Sequence, residues 1–299
     1  MARIDFDKQL ARGAKAYDNE VGQWWLKRSE DIVHRRAYDA IAKHFVTAVK
    51  KAGYARGVIV DYACGSGPLL ERLAKLLPEA RIVGIDGSVK LLSITAERLR
   101  AQGVDAAVVA ARDAFANDGP RIRLVQSGLP SFKFPRGHAD ALMFCFPNIT
   151  AHASDQPHYD RHGYKQRGDA AVAKMLSRFR EMDPDDEVST FTAKEQYDDL
   201  LTHKVISRDL RALMKPGGLL TRVEYANCNR GELTQLTTWR MLFCEGALDE
   251  PIKDAHAETI FQYQSNRYTR SQVILDVYHQ TRNKDDRAGG YFIADFIAV

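Results

Sequence analysis

The sequence lacks the long apolar run that a membrane span requires, since no stretch approaches the ~18 consecutive apolar residues needed. Its opening stretch, MARIDFDKQLARGAKAYDNE, carries acids and has no apolar middle, which argues against a secretory signal and gives a cytoplasmic expectation. Cysteine is scarce: Cys64, Cys145, Cys228 and Cys244 are far apart, with no C-x-x-C pair and no dense pattern, so reduced thiols are expected. Long basic tracts are missing as well. A net charge of +4 is spread among interspersed acids and gives little support to a nucleic-acid partner. There is no repeat at solenoid spacing and no low-complexity segment. What remains, at 45% hydrophobic and 27% charged over 299 residues, is an ordinary soluble chain. It is long enough for one large α/β domain with additions or for two small domains.

The N-terminal part reads as helical. AKAYDNEVGQWWLKR brings Tyr17, Trp24 and Trp25 into a short helix, and the segment from Ser29 opens with a cap and two acids. It then sets Tyr38, Ile41, Phe45 and Val49 on one face and stops at Gly53. Next comes GVIVDYACGSGPLLERLAKLLPEARIVGIDGS: a β-branched strand, a glycine turn, and a helix with Pro68 at its first position. The strand RIVGID and a helix ending at Gly103 complete a βαβα unit. IRLVQ predicts a further strand and DALMFCF a buried central one. Strand signals vanish from about 151 to 202, where a polar loop, a helix around Asp169–Glu181 and an acidic turn mark an insertion. A helix ending in LMKPGG, with Pro-Gly-Gly as stop and turn, precedes the strand LLTRVEYA. A second, helix-rich insertion spans about 227–265, a helix covers Ser271–Thr281, and GGYFIADFIAV forms the last strand, with no separate sixth strand evident.

In VIVDYACGSG, Gly65 and Gly67 let the backbone turn sharply and approach a ligand closely. Asp86 lies 21 residues beyond Gly65 at the end of the second strand, suited to hydrogen-bonding two ribose hydroxyls. Position 70 is leucine, so the third glycine of a G-x-G-x-x-G dinucleotide fingerprint is missing, and no Lys-Ser/Thr pair follows as in a P-loop.

The stretch VDYACGSG resembles the first motif of class I S-adenosylmethionine-dependent methyltransferases, D-x-G-C-G-x-G, and GIDGS resembles their acidic second motif. SGLPSF, CFPNI and LMKPGGLLTRVEY extend the resemblance over about 50–150 and 205–299. It implies an α/β Rossmann-like sandwich whose mostly parallel sheet has an antiparallel last strand, with an N-terminal helical cap (1–52). The methyltransferase domain (53–299) would carry the insertions as a substrate lid. It also implies S-adenosyl-L-methionine as cofactor and S-adenosyl-L-homocysteine as product. Asp61, Ala63, Gly65, Ser66 and Gly67 would face the methionine part and Asp86 the ribose. Gly87 and Ser88 with Ser127, Gly128 and Leu129 would face the adenine, with Phe144 and an N-terminal Tyr17 completing the cofactor site. Ala63 departs from the motif's first glycine, and Ser127 stands where many members have an aspartate.

Methyl transfer asks mainly for an acceptor held in line with the methyl–sulfur bond; a hydroxyl or ammonium acceptor also needs a base. Candidate bases are His152, His158 and Tyr225, with Trp25, Phe146, Asn148 and Glu224 as acceptor-binding residues. His158 and His162 are four apart, but neighbouring Pro and Gly argue for a loop, and no metal site is assigned. The tetrad N/D-P-P-Y/F of base-methylating enzymes is absent, CFPNIT standing in its place, which disfavours a base acceptor. A small molecule, such as a secondary metabolite or amino-acid derivative, is the expected partner, with a homodimer open. The alternatives are a cofactor-binding scaffold without turnover, or an aminopropyl transferase, whose paired aspartates after the apolar strand are absent.

Overall fold

The computed structural model describes residues 18, 20–127, 134–147, 207, 209–226, 260–271 and 290–299. Helix α1 (Glu20–Glu30) leads into α2 (Ile32–Lys51). The cap of α2 is Asp31 rather than Ser29: its carboxylate accepts from the His34 N–H at 2.8 Å and pairs with the His34 ring at 2.7 Å. Ser29 instead belongs to α1 and donates its hydroxyl to the Leu26 carbonyl at 2.7 Å. At the other end the predicted stop holds. Gly53 adopts φ 81°, and the N–H groups of Gly53 and Tyr54 close back onto the Lys50 and Val49 carbonyls.

Strand β1 (Val58–Tyr62), helix α3 (Pro68–Leu76), strand β2 (Arg81–Asp86) and helix α4 (Val89–Ala101) follow in the expected alternation. They continue into β3 (Ala106–Val109), β4 (Ile122–Gln126), β5 (Ala139–Cys145), β6 (Met214–Ala226), β7 (Phe261–Arg270) and β8 (Gly290–Ala298). One sheet contains them all, in the order β3-β4-β2-β1-β5-β6-β8-β7. Strands β3 to β6 and β1 and β2 run parallel, and β8 pairs antiparallel with both β6 and β7. The chain fills one side of β1 with β2, β3 and β4, then crosses to start the other side at β5. The switch point therefore lies between the carboxyl ends of β1 and β5, where open α/β sheets bind ligands.

Three features were not foreseen. Ala106–Val109 forms an edge strand beside β4, too short and too exposed at Val108 for its pattern to stand out. Strand β7 occupies 261–270, so the helix-rich reading of the segment up to residue 265 does not hold for its last residues. FQYQSNRYTR is polar because, among the described residues, this is an edge strand paired only with β8. Finally, β6 starts at Met214, before the Pro-Gly-Gly turn, and resumes pairing at Leu219 after an irregularity opposite Ala139 and Ala141. The expected helices at Asp169–Glu181 and Ser271–Thr281, and the first insertion, lie outside the described residues.

The sheet separates two cores. On one face α2 buries Tyr38, Ile41, Phe45 and Val49, the face its spacing predicted, together with Leu70, Leu73, Leu92 and Ile59. On the other face Val60, Tyr62, Phe144, Leu210, Phe292 and Phe296 pack together. Polar ties pin α2 to the far strands: His44 Nε2 lies 2.8 Å from Asp295, which also accepts from Thr221 at 2.6 Å and Ser265 at 3.2 Å. Among the described residues no helix is long and apolar enough to cross a membrane. Because Phe45 is 0% exposed in this shared core, Phe45→Ala is expected to cost about 3–5 kcal/mol in denaturant unfolding. Ile32→Ala, at 59% exposure on the same helix, should stay within about 0.5 kcal/mol.

Candidate cofactor and acceptor site

From the end of β1 the chain turns through Ala63, Cys64, Gly65, Ser66 and Gly67 into α3. Three of these residues have positive φ: Ala63 at 63°, Gly65 at 55° and Gly67 at 77°. Gly67 is needed for two reasons. Its backbone is left-handed, and a Cβ there would stand 2.3 Å from Thr95 Cγ2 of α4. At Gly65 a Cβ would meet nothing within 4 Å, so there is room beside the turn. Ala63 holds the left-handed conformation without being glycine, at a cost of about 1–2 kcal/mol.

Asp86 binds this turn directly. Its carboxylate accepts from the Gly65 N–H at 2.8 Å and from the Ser88 N–H at 2.9 Å. Burial pushes its pKa above the ordinary carboxylate value, and the N–H groups of Ser88, Gly65 and Gly87 work against that by favouring the anion. The Ser88 hydroxyl caps α4 by accepting from the Leu91 N–H at 3.1 Å and donates to Asp18 at 2.6 Å. The third strand end joins through the Ser127 N–H, which donates to the Asp86 carbonyl at 2.9 Å. The ends of β1, β2 and β4 are thus laced together around one residue, Asp86.

Asp61 has the opposite surroundings. Alternation along β1 sends Val60 and Tyr62 into one core and Ile59 into the other, which places Asp61 on the α2 side beneath the turn. It is 2% exposed, and its Oδ2 accepts no hydrogen bond among the described residues. Burial first, and then the charge of Asp86, push its pKa up to about 8. Burial also raises the Tyr38 phenol and the Cys64 and Cys145 thiols, which removes any thiolate nucleophile here.

Toward the neighbouring strand ends, Phe146 takes φ 47° just after β5. Its ring meets Tyr38 at 5.9 Å and Tyr291 at 6.2 Å, both edge-on. On the other face Phe144 is fully buried, edge-on to Tyr62 at 5.6 Å, with the Arg222 guanidinium 5.4 Å above it. Arg222 is 0% exposed and donates to Glu224 from Nη2 at 2.6 Å and from Nε at 3.1 Å, so the Glu224 carboxylate is held as an ion-pair partner.

The structure therefore brings Asp61, Ala63, Gly65, Ser66, Gly67, Asp86, Gly87, Ser88 and Ser127 together at the carboxyl ends of β1, β2 and β4. Phe146 and Glu224 stand at the ends of β5 and β6. Trp25 packs against the core from α1, and Tyr225 pairs with Tyr291 across β6 and β8. Tyr17, Gly128, Leu129, Asn148, His152 and His158 lie outside the described residues. Sequence reasoning passed over Asp18, Ser29 and Arg222. Asp18 and Ser29 bring the N-terminal segment onto the turns after β2 and β1, through Ser88 and through a 3.1 Å contact between the Ser29 and Ser66 hydroxyls. A signal for Arg222 did exist: it is a charge inside an apolar strand, two residues from an acid and hence on the same face.

An adenosine bearing a charged amino-acid tail needs an acceptor for ribose hydroxyls, a turn without side chains and an anion for its ammonium. Asp86, Gly65 with Gly67, and Asp61, whose Oδ2 has no partner among the described residues, could provide these, so the residues fit the group. The fold is that of a Rossmann-like α/β domain. Residues 59–112, which carry both motifs, match the family model described as a methyltransferase domain. That match runs from β1 through the short strand β3. No curated protein sequence matches the chain. Among solved structures it is similar to geranyl diphosphate C-methyltransferase from Streptomyces coelicolor A3(2), with 11% identity, 97% of this chain and 98% of that one covered, and a TM-score of 0.49. It is similar to the N-methyltransferase NodS from Bradyrhizobium japonicum WM9, with 9% identity, 97% and 98% coverage and a TM-score of 0.47. A third likeness is to a 16S rRNA adenine methyltransferase from Catenulisporales acidiphilia, with 17% identity, 85% and 93% coverage and a TM-score of 0.43.

Relief of the left-handed strain sets an expectation for Ala63→Gly. The variant should be more stable by about 0.5–1 kcal/mol in urea unfolding, the strain relieved exceeding the added freedom of the unfolded chain. A loss of stability would contradict the strain assigned to that position.

Proposed function

We propose that the protein is an S-adenosylmethionine-dependent methyltransferase that methylates a small molecule by in-line transfer to an oxygen, nitrogen, sulfur or carbon acceptor. The observation that carries this reading is the Asp86 carboxylate holding the glycine turn beside Asp61, whose buried Oδ2 has no hydrogen-bond partner among the described residues, at the switch point of the sheet. When bound, the cofactor supplies an already activated methyl group, so the chain's own residues have to bind, orient and exclude water. Asp86 is assigned to the ribose and Asp61 to the amino-acid end. Gly65–Gly67 are assigned to close backbone approach, and Gly87, Ser88 and Ser127–Leu129 to the adenine. Ser88 would act there mainly through its backbone, because its hydroxyl is committed to Leu91 and Asp18.

Acceptor choice is assigned to the N-terminal cap, with Tyr17 and Trp25, to Phe146, Asn148 and Glu224, and to the insertions as a lid. Glu224 is assigned to holding the acceptor rather than to removing its proton, because two Arg222 donors already occupy its Oε1. His152, His158 and Tyr225 remain the candidate bases. The modest net charge and the missing base-binding tetrad support a small acceptor over a nucleic-acid base. A scaffold that binds cofactor without turnover is the second reading, and release of S-adenosylhomocysteine from labelled cofactor across an acceptor panel distinguishes the two. Calorimetry tests the cofactor assignment: Asp86→Ala should weaken S-adenosylhomocysteine binding by about 1.5–3 kcal/mol, roughly ten- to 150-fold. Unchanged affinity in a folded variant would sink the ribose assignment.

A further inference from the structure

Two carboxylates meet beneath the glycine turn, and their donors are divided unequally. Asp86 receives the Gly65 and Ser88 N–H groups at 2.8 and 2.9 Å, whereas Asp61 Oδ2 is buried with no donor among the described residues. The titratable groups facing Asp61 are Tyr38 from α2, Cys64 from the turn, Asp86 from β2 and Cys145 from β5. None of these is a cation. The Arg72 guanidinium, 5.9 Å from the Tyr38 ring centroid, is bonded to Asp39, the Pro68 carbonyl and the Arg35 carbonyl. Glu224, beyond Cys145, carries the same sign as Asp61 and is neutralised by Arg222. The pair therefore holds one negative charge comfortably, on Asp86, and a second only if a cation is brought in.

We propose that Asp61 is a neutral carboxylic acid in the empty site and releases its proton to solvent when the cofactor's α-ammonium arrives, so that cofactor capture is coupled to the loss of one proton. This rests on the cofactor reading above and adds to it a control by pH. Burial, reinforced by Asp86, holds Asp61 at about 8 in the empty protein, so at pH 6–7.5 binding must displace a proton that is mostly in place. The α-ammonium of S-adenosylhomocysteine stays protonated over that range, because its own carboxylate holds it above the ~8 of a chain-terminal amine. Affinity should therefore rise with pH. The empty protein should change in the opposite direction. A carboxyl whose folded pKa lies above its unfolded value of 3.8 favours folding below that value, and this contribution is lost as pH rises toward 8.

The test is titration calorimetry of the full chain with S-adenosylhomocysteine in two buffers of different ionisation enthalpy, with 5′-methylthioadenosine as the ligand lacking the amino-acid end. The expected result is release of about one proton per S-adenosylhomocysteine at pH 6.5 and affinity rising toward about tenfold per pH unit from 6 to 7.5. Methylthioadenosine should bind without that proton. In Asp61→Asn the pH slope for S-adenosylhomocysteine should vanish, and the fall in melting temperature of the empty protein between pH 5 and 8 should be shallower than in the wild type. S-adenosylhomocysteine binding without proton release overturns the proposal, as does an equal pH slope for methylthioadenosine, which assigns the titration to Asp86. Failure of a folded protein to bind either ligand overturns the cofactor reading itself. If Asp61→Asn does not fold, the two-ligand comparison in the wild type still decides.

Discussion

The hydrogen bond from the Gly65 N–H to the Asp86 carboxylate joins the turn after β1 to the end of β2, and the rest of the site is arranged around it. Through the same carboxyl group the Ser88 N–H fixes the start of α4, and through the Asp86 carbonyl the end of β4 is brought alongside. Gly67 allows the turn to sit against Thr95 of α4 without a side chain between them. A charge-assisted bond of this kind is strong where water is excluded, and it keeps the negative charge on Asp86 rather than on its neighbour.

That distribution of charge accounts for the chemistry around it. Burial pushes Asp61, Tyr38, Cys64 and Cys145 all toward their neutral forms, so the polar groups on this side disfavour a thiolate. Across the sheet the Arg222–Glu224 pair is the reverse case, a buried cation neutralised within its own strand and stacked over Phe144. The carboxyl ends of β1, β2, β5 and β6 thus present an uncompensated acid toward the α2 side and a compensated ion pair toward the other.

Polar contacts also explain how the N-terminal helices relate to the sheet. The buried face of α2 belongs to the same hydrophobic core as β1 and α3, and the His44–Asp295–Thr221 chain ties it to the far strands. Ser29 and Asp18 reach the turns after β1 and β2. An element placed this way cannot move without disturbing those turns. Phe146 adds a second constraint, since its strained backbone aims an aromatic ring between Tyr38 and Tyr291.

What the sequence determined by itself was local and periodic. The β-branched run before Gly65, Pro68 at the head of its helix, the stop at Gly53 and the apolar face of α2 each follow from backbone preference or from a 3.6-residue repeat. Such signals need only neighbours along the chain. The pair of motifs was legible for the same reason, since 21 residues separate Gly65 from Asp86 and the intervening helix and strand fix their meeting. Three things required the folded chain. Strand β7 is polar and pairs only through β8, so no apolar pattern announced it. Ser29 looked like a cap, but Asp31 took that position because α1 continues through Ser29 and turns its hydroxyl toward Ser66. The different surroundings of Asp61 and Asp86, alike as letters, were decided by the tertiary structure, which gave Asp86 N–H donors and buried Asp61 Oδ2 with none among the described residues.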